Sequence, residues 1–217
     1  MEAINNSNRG YFITIEGVEG VGKTTNIEAI EKFLQQHGIP FVNTREPGGT
    51  QLAEDIRALV LKEQSPGVDA ITELLLIFAA RSHHLQHVIL PALNRGDWVI
   101  CDRFTDATYA YQGGGRGIDC EQIAILENLV QGELRPDLTL LLDLDPRLGL
   151  QRALNRGDLD RFEKEQVDFF DAVREVYLQR AAAEEDRYTI IDAGQSLELV
   201  TAATLSVLRK FLDAKCG

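Results

Sequence analysis

The 217-residue sequence predicts an α/β fold, a five-stranded parallel sheet flanked by helices. Three observations carry this expectation. Five short apolar runs alternate with segments whose apolar residues recur at helical spacing. Strands separated by helices indicate a parallel, helix-covered sheet with ligands at the strands' carboxyl ends. The first run, Tyr11 to Ile15, leads straight into Gly17 to Thr25, GVEGVGKTT, which fits the phosphate-binding pattern G-x-x-x-x-G-K-[ST].

Taken in order, the elements are these. After the phosphate loop, Ile27, Ile30, Phe33 and Leu34 predict a helix ending near Gly38, and Phe41 to Thr44 is the second strand. A short helix carries Leu52, Ile56, Leu59 and Val60. A Ser-Pro-Gly turn at Ser65 to Gly67 precedes a long apolar helix from Ile71 toward Leu93. Trp98 to Cys101 is strand three, ending in Asp102. Gly113 to Gly117 reads as a loop, Asp119 to Gln131 as a helix, and Leu138 to Leu142 as strand four. Helices near Arg147 to Leu154 and Phe162 to Ala183 come next. Strand five, Tyr188 to Ile191, and a helix from Ser196 to about Leu212 complete the order.

Composition, at 44% hydrophobic and 26% charged, describes one domain large enough to bury a core. The net charge of −12 argues against a broad nucleic-acid or membrane surface, either of which needs clustered positive charge. No run reaches the roughly 18 apolar residues of a membrane span. Cys101, Cys120 and Cys216 are odd in number, widely spaced and in no metal-ligand pattern, which predicts reduced thiols in a cytoplasmic protein. Residues 1–9 read as a disordered tail and 10–217 as the single domain.

The phosphate loop carries the first chemistry. Its glycines let backbone N–H groups turn toward a triphosphate, Lys23 reaches the outer phosphates, and the Thr24 hydroxyl can join a Mg²⁺ shell. An acid at the end of a neighbouring strand must complete that shell, and Asp102 and Asp143 both qualify. Asp102 is preferred because the adjacent Arg103 lets one turn serve a metal and a second anion. Arg45, Arg81, Arg103, Arg152, Arg156 and Arg161 mostly sit where predicted elements end. Converging from different loops, they suit a second phosphorylated ligand, although any one of them alone reads as a surface salt bridge. His83, His84 and His87 read as a solvated helix face in preference to a metal site.

The motifs TREPGGT at Thr44 to Thr50, CDRF at Cys101 to Phe104, YAYQGGGRG at Tyr109 to Gly117, RPDLTLLLD at Arg135 to Asp143, and the RGDLDRFE segment resemble bacterial thymidylate kinase. The resemblance runs from about residue 10 to 212. It implies a three-layer P-loop NTPase fold of the nucleoside monophosphate kinase type, transfer of the ATP γ-phosphoryl group to dTMP, and a homodimer. It further implies ATP binding by Gly17, Val18, Glu19, Gly20, Val21, Gly22, Lys23, Thr24 and Thr25 with Arg152, and a metal held by Thr24 and Asp102. Acceptor contacts fall to Arg45, Pro47, Arg81, Arg103, Thr108, Tyr111, Gln112 and either Ile77 or Phe78. Glu19 is implied to accept a hydrogen bond from the dTMP 3′-hydroxyl, and the Glu46–Pro47 peptide bond to be cis. Lys23 and Arg103 are implied catalytic groups, together with an arginine from a mobile lid at about 154–165. Arg156 is first choice for that arginine, with Arg161 and Arg152 behind it. One form of this family carries a basic residue in the phosphate loop and another supplies it from the lid; Glu19 and Val21 resemble the second. A different small-molecule kinase and a partner-driven ATPase are the rival readings.

Overall fold

The computed structural model describes residues 9–62, 67–154, 161, 162 and 165–216. Five parallel strands, β1 (Phe12–Glu16), β2 (Phe41–Arg45), β3 (Trp98–Asp102), β4 (Leu138–Asp143) and β5 (Tyr188–Asp192), lie in the order β2-β3-β1-β4-β5. Every residue of β1 is buried, as expected of a parallel strand covered on both faces. On one face Ile13, Ile15 and Ile100 pack with Ile27, Ile30 and Leu34 of α1 (Lys23–Gln36) and with Val200 and Leu208 of α9 (Leu197–Cys216). On the other, Phe12, Val99 and Cys101 meet Leu85, Ile89 and Leu93. Strand order reverses at β1, whose neighbours β3 and β4 lead away on opposite sides, so the crevice for ligands opens at the carboxyl ends of these three strands.

The remaining helices are α2 (Gln51–Leu61), α3 (Ala70–His84), α4 (Leu90–Asn94), α5 (Thr105–Thr108), α6 (Cys120–Gln131), α7 (Pro146–Leu154) and α8 (Val167–Ala183). Helices α3 and α4 are joined without a break by a wide helical turn at Leu85–Ile89, so the long apolar helix expected from Ile71 is present with a local bulge.

Several expectations change. Gly113 to Gly117 is helical through Gly115, because a wide helical turn, Tyr109–Gly115, continues α5. A Cβ on Gly114 would lie 2.7 Å from the Ala172 carbonyl, and one on Gly115 would meet the Phe169 ring, so the missing side chains let this stretch lie directly on α8. Helix α8 begins at Val167, while Phe162 sits in a turn of its own with its ring buried. Arg9 belongs to the folded domain, since its guanidinium pairs with Asp137 at 2.7 Å and the Gly10 N–H donates to the Leu93 carbonyl. Residues 1–8 lie outside the described set, as does most of the expected lid: 155–160, 163 and 164.

The phosphate loop is wedged against α7. Gly20 has φ +73°, and a Cβ there would lie 2.2 Å from the Gly149 carbonyl. In turn a Cβ on Gly149 would lie 2.4 Å from the Glu19 carbonyl. This contact is backbone against backbone, so no side chain can yield. Gly149→Ala is expected to cost about 2 kcal/mol despite the better helix propensity of alanine. Differential scanning calorimetry should read this as a Tm loss of roughly 4–8 °C. An unchanged or raised Tm would show that loop and helix part freely.

Candidate functional site

At the carboxyl end of β1 the chain enters the loop with positive φ at Gly17 and Gly22, and Gly22 stands as N-cap of α1. The Lys23 ammonium folds back over the loop, donating to the Gly17 and Val18 carbonyls at 3.3 Å each. Burial, and then the nearby Arg103 charge, lower its pKa, so an anion placed here recovers lost charge stabilisation.

Arg103 follows β3 with φ +67°, a left-handed conformation rare outside glycine. Its N–H donates to the Ile15 carbonyl, and the next N–H, of Phe104, donates to Glu16 Oε1 at 2.7 Å. The guanidinium lies 4.7 Å over the Tyr111 ring and donates to Glu19 Oε1 at 2.5 Å and to the Tyr177 hydroxyl at 3.3 Å. Tyr111 also donates to Glu19, at 3.1 Å. Glu19 therefore faces Arg103 and Tyr111, which removes the repulsion expected of an acid beside a triphosphate.

Beyond Arg103 opens a half-open cleft with a cavity of about 80 Å³. Glu19, Pro47, Ile77, Arg81, Arg103, Thr108, Tyr111 and Gln112 line it, bringing together eight of the sequence-derived acceptor residues. Arg81, buried on α3, donates from Nε to Glu46 Oε2 at 2.6 Å and from Nη2 to Thr108 at 2.9 Å. Its Nη1 is buried with no hydrogen-bond partner among the described residues. The Glu46–Pro47 bond is cis. Burial works to raise the Glu46 carboxyl, but the Arg81 charge and the His84 hydrogen bond prevail and hold it below 4.5. Ile77 meets the cleft, whereas Phe78 lies in a core cluster behind it with Arg81 4.8 Å from its ring. Gln112 lines the cleft while donating to Glu73 at 2.8 Å.

Other expected residues stand elsewhere. Arg45 is exposed and paired with Glu54 at 2.8 Å, on a neighbouring cleft that Thr24 and Asp102 share. Arg57 of α2 takes its place in the acceptor cleft, donating to the Pro47 carbonyl at 3.0 Å. Burial and then the charges of Arg45 and Arg103 lower its pKa, a crowding of cations that a bound anion relieves. The available signal was its place on the inner stripe of α2 with Ala53, Ile56 and Val60. Arg161 is tied to Glu73 and lies over the Phe162 ring. Arg156 lies outside the described residues. Arg152 donates to the Ala193 carbonyl at 3.2 Å and helps line a third cleft with Gly20, Gly22, Thr25, Gln195 and Ser196. Ala193 to Leu197 went unnoticed in the sequence, although they follow a strand's carboxyl end. His84 is fully buried and bonded to Glu46 and Thr44, which overturns the solvated-face reading for it: helix α3 is covered on that side by the turn after β2.

Of the two candidate metal acids, Asp143 has both oxygens held by Arg174, at 2.7 and 2.8 Å. Asp102 keeps a buried Oδ1 without a hydrogen-bond partner among the described residues, on the cleft where Thr24 stands. A hydroxyl and a carboxylate oxygen fit the donor set of a hard divalent cation.

A phosphate loop beside a second, arginine-lined cleft defines a nucleotide-dependent phosphotransferase of the P-loop class. The thymidylate kinase family model matches residues 15–204. The chain is 60% identical to a thymidylate kinase of Pseudomonas putida over 191 residues, 88% of this chain and 91% of that one. With a thymidylate kinase of Pseudomonas syringae pv. tomato it shares 57% over 208 residues, 96% of this chain and 99% of the relative. The crystal structure of the Ehrlichia chaffeensis thymidylate kinase superposes with TM-score 0.76 at 35% identity, covering 93% of this chain and 99% of that one. The chain belongs to the thymidylate kinase family.

Removing the Glu46 charge leaves Arg81 buried against a weaker partner, so Glu46→Gln should cost about 3 kcal/mol at neutral pH. Because the folded-state carboxyl titrates below its ordinary 4.5, its contribution is complete above that value and is lost as pH falls through the folded-state one. Wild type should therefore lose more stability than Glu46→Gln on acidification, read as urea midpoints at about pH 6 and about pH 3. Equal losses would show that the ion pair contributes nothing.

Proposed function

We propose that the two substrates meet at the carboxyl end of β1, with ATP along the phosphate loop and dTMP in the cleft lined by Arg81, Thr108 and Tyr111. The reaction is the family's, phosphorylation of dTMP by ATP to give dTDP and ADP. The observation that carries the assignment of the acceptor cleft is the unpartnered Arg81 Nη1, a buried N–H that a pyrimidine carbonyl satisfies. Thr108 and Gln112 complete the base edge, Ile77 and Pro47 supply apolar contact, Tyr111 crowds the sugar, and Glu19 accepts from the 3′-hydroxyl. Arg57 and Arg103 hold the acceptor phosphate, with Arg45 at the margin. The Arg152 cleft suits the nucleoside end of ATP.

No general base is needed, because a phosphate monoester has its second pKa near 6 and is mostly dianionic at neutral pH. The chain's work is positioning and charge neutralisation. Lys23 and Arg103 stand on either side of the gap between donor and acceptor. Thr24 and Asp102 would hold Mg²⁺, which when bound neutralises charge on the ATP phosphates. With Arg161 committed to Glu73, Arg156 is the lid arginine that completes the set, and Lys23 and Arg103 keep their places without it.

A second copy of the chain is the proposed partner. Leu52 and Leu59 on α2, Ile71 and Leu75 on α3, and Ile125 and Leu129 on α6 stand exposed, and α3 packs against both other helices. Light scattering at micromolar concentration checks this, and a mass of 24.2 kDa would refute it. No helix among the described residues is long and apolar enough to cross a membrane. The free thiols of Cys101 and Cys120 support a cytoplasmic protein, which cell fractionation checks.

A coupled assay over dTMP, dUMP, dGMP and thymidine should show dTMP as the preferred acceptor; preference for the nucleoside would refute the acceptor assignment. In the same assay Asp102→Asn and Arg156→Ala should each lower kcat by about 10²-fold or more while dTMP still binds. Turnover near wild type in either variant removes that residue from its role.

A further inference from the structure

His84 lies on α3 three residues after Arg81, fully buried and absent from the lining of the acceptor cleft. Its ring bridges Thr44 near the end of β2 and Glu46 in the turn that follows. Nε2 is 2.7 Å from Thr44 Oγ1, and Nδ1 is 3.0 Å from Glu46 Oε1. The other Glu46 oxygen takes Arg81 Nε, and Arg81 Nη2 goes on to Thr108. The guanidinium is sandwiched between Phe78 and Phe104, at 4.8 and 5.1 Å. Gly49 closes over the far side of the imidazole so tightly that a Cβ would lie 2.4 Å from Nε2. The ring is therefore clamped in place, and it acts on Arg81 only through Glu46.

A carboxylate bonded at one oxygen alone can rotate about its terminal bond. Bonded at both, its plane is set, and a guanidinium paired with it takes its own plane from that one. An ionised carboxylate only accepts, so His84 Nδ1 carries the proton it donates to Glu46. Two of Arg81's three nitrogens are committed in this way, and the direction of the third, Nη1, follows from them.

We propose that His84 is a positioning residue for base selection: by pinning Glu46 it sets the direction in which Arg81 Nη1 donates to the acceptor base. The proposal rests on the reading of Arg81 as the residue facing the base. A guanidinium has donors only, so an Nη1 aimed at the carbonyl that thymine carries at C4 donates to it and is repelled by the amino group that cytosine carries there, where N–H would meet N–H. If the aim is loosened, the penalty against the amino group falls and the affinity for the carbonyl falls with it.

The test is steady-state kinetics with dTMP and dCMP at saturating ATP, with Tm measured for every protein. His84→Leu removes both hydrogen bonds. His84→Asn places an amide N–H where Nδ1 stood and keeps the bond to Glu46, whereas His84→Gln reaches the Nε2 position and keeps only the bond to Thr44. We expect His84→Leu and His84→Gln to raise KM for dTMP about tenfold and to lower the dTMP over dCMP preference about tenfold. Their kcat and their KM for ATP should stay within about twofold of wild type, and His84→Asn should recover most of both losses. Arg81→Gln should abolish the preference. If Arg81→Gln loses the preference while His84→Leu and His84→Gln keep it, the role of His84 is overturned and the base reading of Arg81 stands. If Arg81→Gln keeps the wild-type preference, both are overturned. If the Asn and Gln variants lose the same amount in step with Tm, His84 serves stability alone and the proposal is overturned. That Asn–Gln comparison also decides the matter should His84→Leu fail to fold.

Discussion

The Glu16 carboxylate, buried at the carboxyl end of β1, holds together the turn on which the site depends. One oxygen accepts the Phe104 N–H and the other the Tyr177 hydroxyl. The chain leaving β3 is thereby kept in a conformation in which Arg103 has positive φ, a state that costs a non-glycine residue about 1–2 kcal/mol. That geometry turns the Arg103 side chain toward Glu19 and Tyr111 while Asp102 stays behind on the cleft it shares with Thr24. Burial first, and the Asp106 charge second, push the Glu16 carboxyl up to about 7. Its charge is therefore held at some cost, against hydrogen bonds from a backbone amide and a tyrosine. The same tyrosine accepts from Arg103, so sheet, turn and Arg103 form one connected unit.

Charge is distributed unevenly over the molecule. The whole chain carries −12, yet Arg57, Arg81 and Arg103 gather on one cleft, with Lys23 near enough to feel the Arg103 charge. Each is managed differently. Arg81 is neutralised by Glu46 and keeps one buried nitrogen, Nη1, without a hydrogen-bond partner among the described residues. Arg57 and Lys23 are left with lowered pKa values by burial and neighbouring cations, a crowding that a bound anion would relieve. Overall acidity does not oppose this, because clefts with low-dielectric walls focus the local field.

Much of this was legible in the chain. The five strands were found within a residue or so; the three central ones, β1, β3 and β4, are buried on both faces and read as continuous apolar runs. The phosphate loop was plain, and the residues that line the cleft beyond Arg103 fall largely in short contiguous motifs. The misreadings share one cause. Gly113 to Gly115 look like a loop by composition and are helical, with Gly114 and Gly115 laid against α8 where no side chain would fit. His84 looked solvated because helical spacing says which residues share a face and is silent on what covers it. Arg57 was passed over for Arg45, although it occupied an inner position of its helix.

The sequence by itself determined the class of sheet, the nucleotide loop and the family, because these depend on local pattern and on motifs a few residues long. Only the tertiary structure decided which of the two strand-end aspartates is held by an arginine among the described residues, which arginine of the β2–α2 region enters the cleft beyond Arg103, and that a buried histidine stands behind Arg81. Those choices depend on contacts between residues 30 to 40 positions apart, such as Asp143 with Arg174 and Thr44 with His84. A linear pattern carries no record of which partner is nearer, and packing alone brings the partners together.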